Sequence, residues 1–347
     1  MTQPVTAGAG PEVGPARVIF RVPDPDAALQ EVRLYQEVQR PRVGPAFARA
    51  KGSGTWELDF PRPAVDRMEY QLRLRYPGAG PVLLPDPANP RRAQGPFGDK
   101  SVIEFPGYEP PAWLNGTGPG GTLIHTGIRS RVLKTELPII LWSSEDAAAG
   151  KAAPLVVAHD GSEYANLASL LSLLARHGPV RAALLDPVID RDEIYSASAT
   201  YARALSSEVL PALAHQAPAS IRIGMGASLG ALAMLHAQRL RPSSFGALFL
   251  QSGSFFRQRW DRQESGFPRF RRIARFVGEV LNATSTPNPI PITMTCGTVE
   301  ENLTNNRAVA AALKRQGHEV TLHVNRDAHN YIAWRDCLHP HLTDLLR

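Results

Sequence analysis

The chain has 347 residues, a net charge of +6 and two cysteines. Its length favours two domains, and its 43% hydrophobic and 20% charged residues are ordinary for a globular protein with a sizeable core. No stretch reaches the roughly 18 apolar residues of a membrane helix, and residues 1–14 lack the positive start and apolar run of a signal peptide. We therefore expect a cytoplasmic protein without a membrane partner. Cys296 and Cys337 are expected to be buried thiols, and neither a metal site nor a redox pair is predicted.

Short segments of alternating polarity dominate the first hundred residues. Alternation with period two predicts half-buried strands. The predicted strands cover residues 17–22, 32–38, 55–60 and 68–76. We predict a disordered N-terminus over residues 1–14, a small immunoglobulin-like β-sandwich over 15–111, and a linker over 112–120.

From residue 121 onward, strand and helix patterns alternate. Residues 154–159 (PLVVAH) are a continuous apolar run, typical of a strand buried on both faces. Further strands are predicted at residues 122–131, 137–143, 181–187, 221–225, 246–251, 290–296 and 319–324, and helices at 167–177, 201–215, 229–239, 270–281, 305–316 and 334–346. This order predicts an α/β domain over residues 121–347 with a doubly wound, mostly parallel sheet.

The sharpest local signal is the run Gly226-Ala227-Ser228-Leu229-Gly230, which matches G-x-S-x-G between a predicted strand and a predicted helix. A nucleophilic serine in that context occupies a strained turn, so its neighbours must be small. The dipole of the following helix favours a developing oxyanion. We predict an α/β-hydrolase fold with Ser228 as the nucleophile and the Leu229 N–H as one oxyanion donor.

An activated serine needs a base, and in this fold the chain order is serine, acid, histidine. His329 is predicted as the base because it lies in a loop after the last strand, at the same sheet edge as Ser228. The acid should follow the strand at 290–296, where Glu300 and Glu301 are adjacent and only one can point at the histidine. Glu300 is preferred; Glu301, or a Ser-His dyad, is the alternative.

The loop after the strand at 154–159 reads His159-Asp160-Gly161-Ser162. A second oxyanion donor usually comes from the loop after an early central strand, so we predict that the Ser162 N–H supplies it. Asp160 is either a turn residue or a polar contact for the substrate.

Several motifs together resemble one esterase family of α/β-hydrolases. They are the HDG loop, the elbow GMGASLGALAML, the strand end FLQSGSFF and the finish CGTVEEN…RDAHNYIAWRD. That family includes enterochelin, feruloyl and acetyl-xylan esterases and mycolyltransferases, and the run DRDEIY around Arg191 is similar to the enterochelin esterase branch. The resemblance implies a serine esterase without a cofactor, which hydrolyses a catecholate trilactone siderophore such as ferric enterobactin and contacts it through Arg191.

A basic, aromatic segment follows Ser254 and gives an independent reason to expect an anionic aromatic substrate. Arginine pairs with anions and stacks on rings, so we predict substrate contacts from Arg257, Arg259 and Trp260. The other arginines of the segment are Arg262, Arg269, Arg271, Arg272 and Arg275. The alternative is a solvated basic helix face. Nucleic acid is not expected as a partner, because no nucleic-acid motif accompanies the arginines.

Two other functions stay open at this stage. A carbohydrate esterase of the feruloyl or acetyl-xylan type would use the N-terminal module to bind glycan, with Trp56 and Tyr70 as candidate aromatic platforms. A binding protein that kept the hydrolase fold without catalysis is the non-enzyme alternative. The oligomeric state is not predicted.

Overall fold

The computed structural model describes residues 10–116 and 118–347. Its chain contacts define two compact units. The first contains the described residues up to Glu109 together with Gly297–Glu300 and Arg326–Asn330. The second contains Pro110–Cys296, Glu301–Asn325 and Tyr331–Arg347. The first unit thus includes two short segments that lie far along the chain from residues 15–111.

The first unit is built from ten short strands. They are β1 (Glu12–Val13), β2 (Arg17–Pro23), β3 (Glu31–Gln36), β4 (Val43–Ala46), β5 (Ala48–Ala50), β6 (Thr55–Pro61), β7 (Arg67–Arg75), β8 (Val82–Leu84), β9 (Arg92–Ala93) and β10 (Lys100–Glu104). One sheet has the order β1-β2-β6-β5; the other has the order β4-β3-β7-β10-β9, with β8 paired to β7. The strand pairs of both sheets are antiparallel.

Alternating residues of the two sheets enclose one apolar core, as the period-two pattern predicted. Phe20 at its centre contacts Phe47, Phe60 and Tyr70 edge-on, with ring centroids 5.0–6.3 Å apart. Tyr70 is fully buried and its hydroxyl donates to Asp86 at 2.7 Å, so it is not the exposed glycan platform considered from the sequence. The immunoglobulin-like class of this sandwich stays a prediction.

The second unit has one eight-stranded sheet. Its strands are β11 (Thr122–Ser130), β12 (Thr135–Ser143), β13 (Ala153–His159), β14 (Arg181–Leu185), β15 (Ala219–Ala227), β16 (Ala247–Gln251), β17 (Pro291–Gly297) and β18 (Glu319–Asn325). They pair in the order β11-β12-β14-β13-β15-β16-β17-β18. The pairs β11-β12 and β12-β14 are antiparallel, and the pairs from β14 through β17 are parallel. The predicted mostly parallel sheet is confirmed.

Helices follow the strands as the alternating pattern predicted. They are α1 (Gly161–Leu167), α2 (Leu170–Leu174), α3 (Arg191–Tyr195), α4 (Ala199–Ala204), α5 (Leu210–Gln216), α6 (Leu229–Leu240), α7 (Phe270–Asn282), α8 (Leu303–Arg315) and α9 (Tyr331–Asp336), with a π-helical turn (Leu205–Val209) between α4 and α5 and 3₁₀ turns at Ala112–Leu114, Arg262–Glu264 and Thr343–Leu346. No helix among residues 10–116 and 118–347 is long and apolar enough to cross a membrane.

Strand β13 shows why the sheet is covered on both faces. Leu155 and Val157 belong to the apolar layer that contains α6, α7 and α8, whereas Val156 and Ala158 belong to the layer that contains α2 and α9. All four residues are completely buried. A continuous apolar strand therefore needs helices on both sides, which is the doubly wound arrangement.

Three expectations from the sequence are corrected. Residues 12–13 are not disordered but pair with β2, because Gly14 turns the chain and donates from its N–H to the Arg17 carbonyl at 2.8 Å; residues 1–9 lie outside the described part. The predicted linker includes a 3₁₀ turn whose Trp113 is buried. The helix predicted at 334–346 ends at Asp336, since Pro340 lacks an N–H for a continuing helix.

Candidate active site

Ser228 lies at the sharp turn between β15 and α6. Its backbone has φ +55° and ψ −121°, a strained conformation for a residue with a side chain. A Cβ on Gly226 would lie 2.6 Å from the carbonyl carbon of Gly230, so only glycine lets the strand and the helix approach this closely. The G-x-S-x-G pattern thus forms the predicted strand–turn–helix.

The elbow is held by the neighbouring strand β16 and the loop after it. The Ser228 N–H donates to the Gln251 carbonyl at 2.9 Å, and the Ser254 N–H donates to the Ser228 carbonyl at 3.1 Å. The two hydroxyls are 3.0 Å apart, so the oxygen of Ser254 touches the predicted nucleophile. Ser254 was missed from the sequence, although it lies in the strand-end motif FLQSGSFF.

Leu229 is the first residue of α6, and it is buried beside Ser228. The first N–H groups of a helix have no acceptor within the helix, and they form the positive end of its dipole. The Leu229 N–H thus lies at the start of the helix that follows Ser228, and its role as an oxyanion donor stays a prediction.

Glu300 and His329 form a hydrogen-bonded pair. Glu300 Oε2 lies 2.6 Å from His329 Nδ1, while its other oxygen accepts from the Gly297 N–H at 2.7 Å. The Glu300 side chain is only 2% exposed, and Glu301 beside it is exposed. A carboxylate accepts from Nδ1–H, so Nε2 is left as the basic nitrogen of a neutral imidazole.

Ser162 follows β13 at the start of α1. Its N–H donates to Asp186 Oδ1 at 2.9 Å, and its hydroxyl donates to the other oxygen of the same carboxylate. Asp186 directly follows β14, the parallel neighbour of β13. The predicted second oxyanion donor is therefore engaged by a carboxylate in this structure.

Asp160 and Arg191 form a two-pronged ion pair. Arg191 Nε donates to Asp160 Oδ1 at 2.8 Å and Nη2 donates to Oδ2 at 2.6 Å. Asp160 is buried and has φ +50°, whereas about a third of the Arg191 side chain is exposed. Asp160 is thus a turn residue whose carboxylate holds the partly exposed Arg191, and a substrate contact by either residue stays a prediction.

His159 supports the elbow from within the core. Its Nδ1 lies 3.0 Å from the Gly230 carbonyl, which can only accept, so Nδ1 carries the proton. Nε2 then accepts from the Tyr201 hydroxyl at 2.7 Å, and Tyr195 stacks on the ring. Burial lowers the pKa of His159 to about 4, so this histidine is neutral and structural.

The arginines after Ser254 divide into two groups. Arg269 and Arg272 both pair with Glu193 of α3 and tie α7 to it. Arg257 instead lies 4.8 Å from the ring centroid of Trp260, which is 66% exposed, and Arg259 is also exposed. Part of the segment is therefore an ion-pair network rather than the solvated basic helix face considered as the alternative. Arg257 and Trp260 offer a cation and a ring to solvent, and their contact with substrate stays a prediction.

Within the described ranges, no group of three His, Cys, Asp or Glu residues could hold a metal ion. Cys296 and Cys337 are buried, as expected.

Comparisons with known proteins place these features in context. No protein-family model matches the sequence. The iron(III) enterobactin esterase of Escherichia coli strain CFT073 is 27% identical over 302 residues, which cover 82% of this chain and 72% of that protein. The enzyme of the same name from Dickeya dadantii is 29% identical over 201 residues, which cover 52% of this chain and 45% of the relative, less than half its length.

Solved structures extend the comparison to the fold. The enterobactin esterase of Shigella flexneri, crystallised in the presence of enterobactin, superposes with a TM-score of 0.76 at 21% identity. That alignment covers 97% of this chain and 95% of the Shigella chain. The resemblance predicted from the motifs is confirmed: the chain is enterochelin esterase-like in sequence, and it has the fold of these enzymes along nearly its whole length.

Proposed function

We propose that this chain is a serine esterase that hydrolyses a catecholate trilactone siderophore such as ferric enterobactin through an acyl-enzyme at Ser228. The observation that carries the proposal is the strained elbow at Ser228 together with the 2.6 Å Glu300–His329 pair. The loops with Glu300 and His329 follow β17 and β18, strands of the same sheet as β15. The α8 crossover between β17 and β18 is typical of parallel strands, which would bring both loops to the elbow's edge.

In the proposed mechanism, His329 Nε2 takes the Ser228 proton as Oγ attacks the ester carbonyl. Glu300 holds Nδ1–H and stabilises the imidazolium that forms. The Leu229 N–H holds the oxyanion, and His329 then protonates the leaving alcohol. Water then attacks the acyl-enzyme while His329 takes one of its protons. His329 returns that proton to Ser228 Oγ as the acyl group leaves as the free acid.

The substrate class is inferred from two sources. Both curated relatives are named iron(III) enterobactin esterases. A ferric tris-catecholate is anionic and aromatic, and the chain offers Arg257 stacked near exposed Trp260 as well as the exposed part of Arg191. A guanidinium and an indole suit such a ligand because one pairs with charge and the other with rings.

The direct test is to incubate the protein with ferric enterobactin, a ferulate ester and an acetyl ester, and to follow products by mass spectrometry. We expect linear fragments and hydroxy-acid monomers from the siderophore. Ser228→Ala should stop turnover and keep binding, measured by fluorescence quenching. Ser220→Ala is the matched control, because Ser220 is exposed at the opposite end of the same strand.

Two outcomes would count against the proposal. Turnover by Ser228→Ala protein would exclude this serine as the nucleophile, and cleavage of only the sugar esters would exclude the siderophore. The double variant Arg257→Ala/Trp260→Ala should lower kcat/KM for the siderophore about tenfold relative to kcat/KM for p-nitrophenyl acetate. A tenfold loss is the size expected for one well-placed cation–π and charge contact. An unchanged ratio would remove this surface from the binding site.

A further inference from the structure

The loop that carries His329 belongs to the first unit, although the strand before it belongs to the second. Asp66, the residue before β7, fastens the start of this loop. Its N–H donates to the Arg326 carbonyl at 2.7 Å, and Arg326 Nε donates back to its carboxylate at 2.9 Å. The chain is therefore held three residues before His329 by a backbone and a side-chain contact.

Arg67, the first residue of β7, makes a second and more buried contact. Its guanidinium lies 3.5 Å from the Asp327 carboxylate, and the two side chains are 3% and 8% exposed. Glu69 Oε1 lies 3.4 Å from the same guanidinium, and the ring of Tyr108 lies 5.7 Å from it. Burial raises the pKa of Asp327 to about 7, although the Arg67 charge beside it lowers that pKa. A buried guanidinium and carboxyl group are costly to desolvate, so this contact needs both side chains held in place.

Asp327 passes this constraint to His329. Its Oδ1 accepts from the Ala328 N–H at 2.7 Å and from Asn330 Nδ2 at 3.1 Å, so it fixes the residues on both sides of the histidine. Ala328 is 4% exposed and packs in the core of the sandwich. The loop is thus held by a buried side chain and by a hydrogen-bonded carboxylate.

The acid segment packs directly on the same loop. A Cβ on Gly297 would lie 2.2 Å from the Asp327 carbonyl oxygen, so the two backbones meet there and only glycine fits. The Gly297 N–H donates to Glu300, whose other oxygen meets His329 Nδ1. Any shift of Asp327 would therefore disturb the position of Glu300 relative to His329.

We propose that Arg67 is a positioning residue for His329, and that the β-sandwich sets the base of the reaction through the Arg67–Asp327 contact. This inference rests on the proposed function, in which His329 is the general base. It gives the N-terminal unit a role in the chemical step besides any role in substrate binding. A misplacement of about 1 Å in a catalytic group can cost a factor of about 100 in rate, so the effect is measurable.

The test uses the full chain with Arg67→Met, which keeps an unbranched side chain as long as the arginine chain up to Nε and removes the guanidinium charge. The matched control is Arg73→Met in the same strand, because Arg73 pairs with Glu31 at 3.2 Å and that carboxylate belongs to β3. Active sites are first counted with a fluorophosphonate probe, and kcat and KM for p-nitrophenyl acetate are then expressed per active site.

We expect kcat per site of Arg67→Met to fall about 10- to 100-fold with little change in KM. The rate of fluorophosphonate labelling should fall in parallel, because it depends on the same base. Arg67→Lys should recover part of kcat, since an ammonium keeps the charge but not the planar fork. Arg73→Met should behave as the unmodified protein.

Unchanged kcat per site in Arg67→Met would overturn the inference, and so would an equal loss in Arg73→Met. If Arg67→Met does not fold by circular dichroism, Asp327→Asn decides. It keeps the oxygen that accepts from the Ala328 N–H and replaces the oxygen that faces Arg67 by an amide group that can only donate. Unchanged kcat in that variant overturns the inference as well. His329→Ala separates the two proposals. Activity in that variant would refute His329 as the base, whereas an inactive His329→Ala with a fully active Arg67→Met would refute only the positioning role.

Discussion

The buried, neutral imidazole of His159 should make the protein measurably less stable in mild acid. The folded protein keeps this imidazole neutral with a pKa of about 4, because it is completely buried, while its ordinary value is 6.5. As the pH falls below 6.5, His159 binds a proton in the unfolded chain but stays neutral in the folded chain. The free energy of unfolding therefore decreases until about pH 4, where the folded protein is protonated as well. Linkage gives a loss from this one group of about 2 kcal/mol by pH 5 and about 3 kcal/mol by pH 4.

The perturbation that isolates this effect is His159→Asn. The Asn amide can donate to the Gly230 carbonyl as Nδ1 does, but it does not titrate. It also lacks the acceptor that Nε2 offers to the Tyr201 hydroxyl. The variant should be less stable near pH 7.5, where the native hydrogen bonds are complete. On acidification the native protein should lose more stability than the variant, so the gap between them should narrow by about 2 kcal/mol at pH 5.

The assay is urea denaturation, followed by tryptophan fluorescence and circular dichroism, at a series of pH values from 7.5 to 4. His236, whose pKa burial also lowers to about 4, is present in both proteins, so its contribution cancels in the difference. Parallel stability curves, with a constant gap at every pH, would show that His159 does not titrate between the two states. The account of His159 as a buried, neutral support for the elbow would then fail.

Two further predictions concern the site itself. Gly226→Ala should lower kcat/KM for p-nitrophenyl acetate by about 100-fold or more, because the new Cβ would lie 2.6 Å from the backbone of α6 and displace the nucleophile. In the control Gly224→Ala, in the same strand, the nearest atoms to the new Cβ belong to side chains, so activity should be kept. Comparable activity in both variants would contradict the packing argument. Glu300→Gln should lower kcat by about 10³- to 10⁴-fold, since a neutral amide no longer stabilises the imidazolium. Glu301→Gln, at the exposed neighbour, should leave kcat unchanged, and the reverse pattern would make Glu301 the acid.

Patterns of short range made most of the fold predictable. Period-two alternation located β2, β3, β6 and β7 to within one or two residues, and the apolar run at 154–159 matches β13. The elbow was predictable because strand, turn and helix requirements coincide within a few residues around Ser228. Pattern failed where a single residue interrupts an otherwise helical stretch, as Pro340 does in the predicted last helix.

Contacts between side chains that are distant in sequence could not be predicted in the same way. Asp186 reaches Ser162 because β13 and β14 are parallel neighbours, and neither residue carries a local signal for the pairing. An oxyanion at the Ser162 N–H would have to compete with that carboxylate, whereas the Leu229 N–H follows directly from the start of α6. The proposed role of Leu229 therefore follows from the motif, whereas the proposed role of Ser162 depends on where Asp186 lies during the reaction.

The two loop segments that group with the sandwich, Gly297–Glu300 and Arg326–Asn330, could not be predicted for the same reason. Asp66 and Arg326 are 260 positions apart, and neither residue carries a local signal for the contact. The neighbouring contact between Arg67 and Asp327 is informative because both side chains are buried. A guanidinium without a partner in an apolar core is costly, so the pairing needs both segments in place. Since Asp327 also binds the backbone beside His329, a change at Arg67 in β7 should alter the rate of the chemical step. A β-sandwich that served only to bind substrate would leave the kcat of a small neutral ester unaffected, and that difference makes the role of the N-terminal unit decidable.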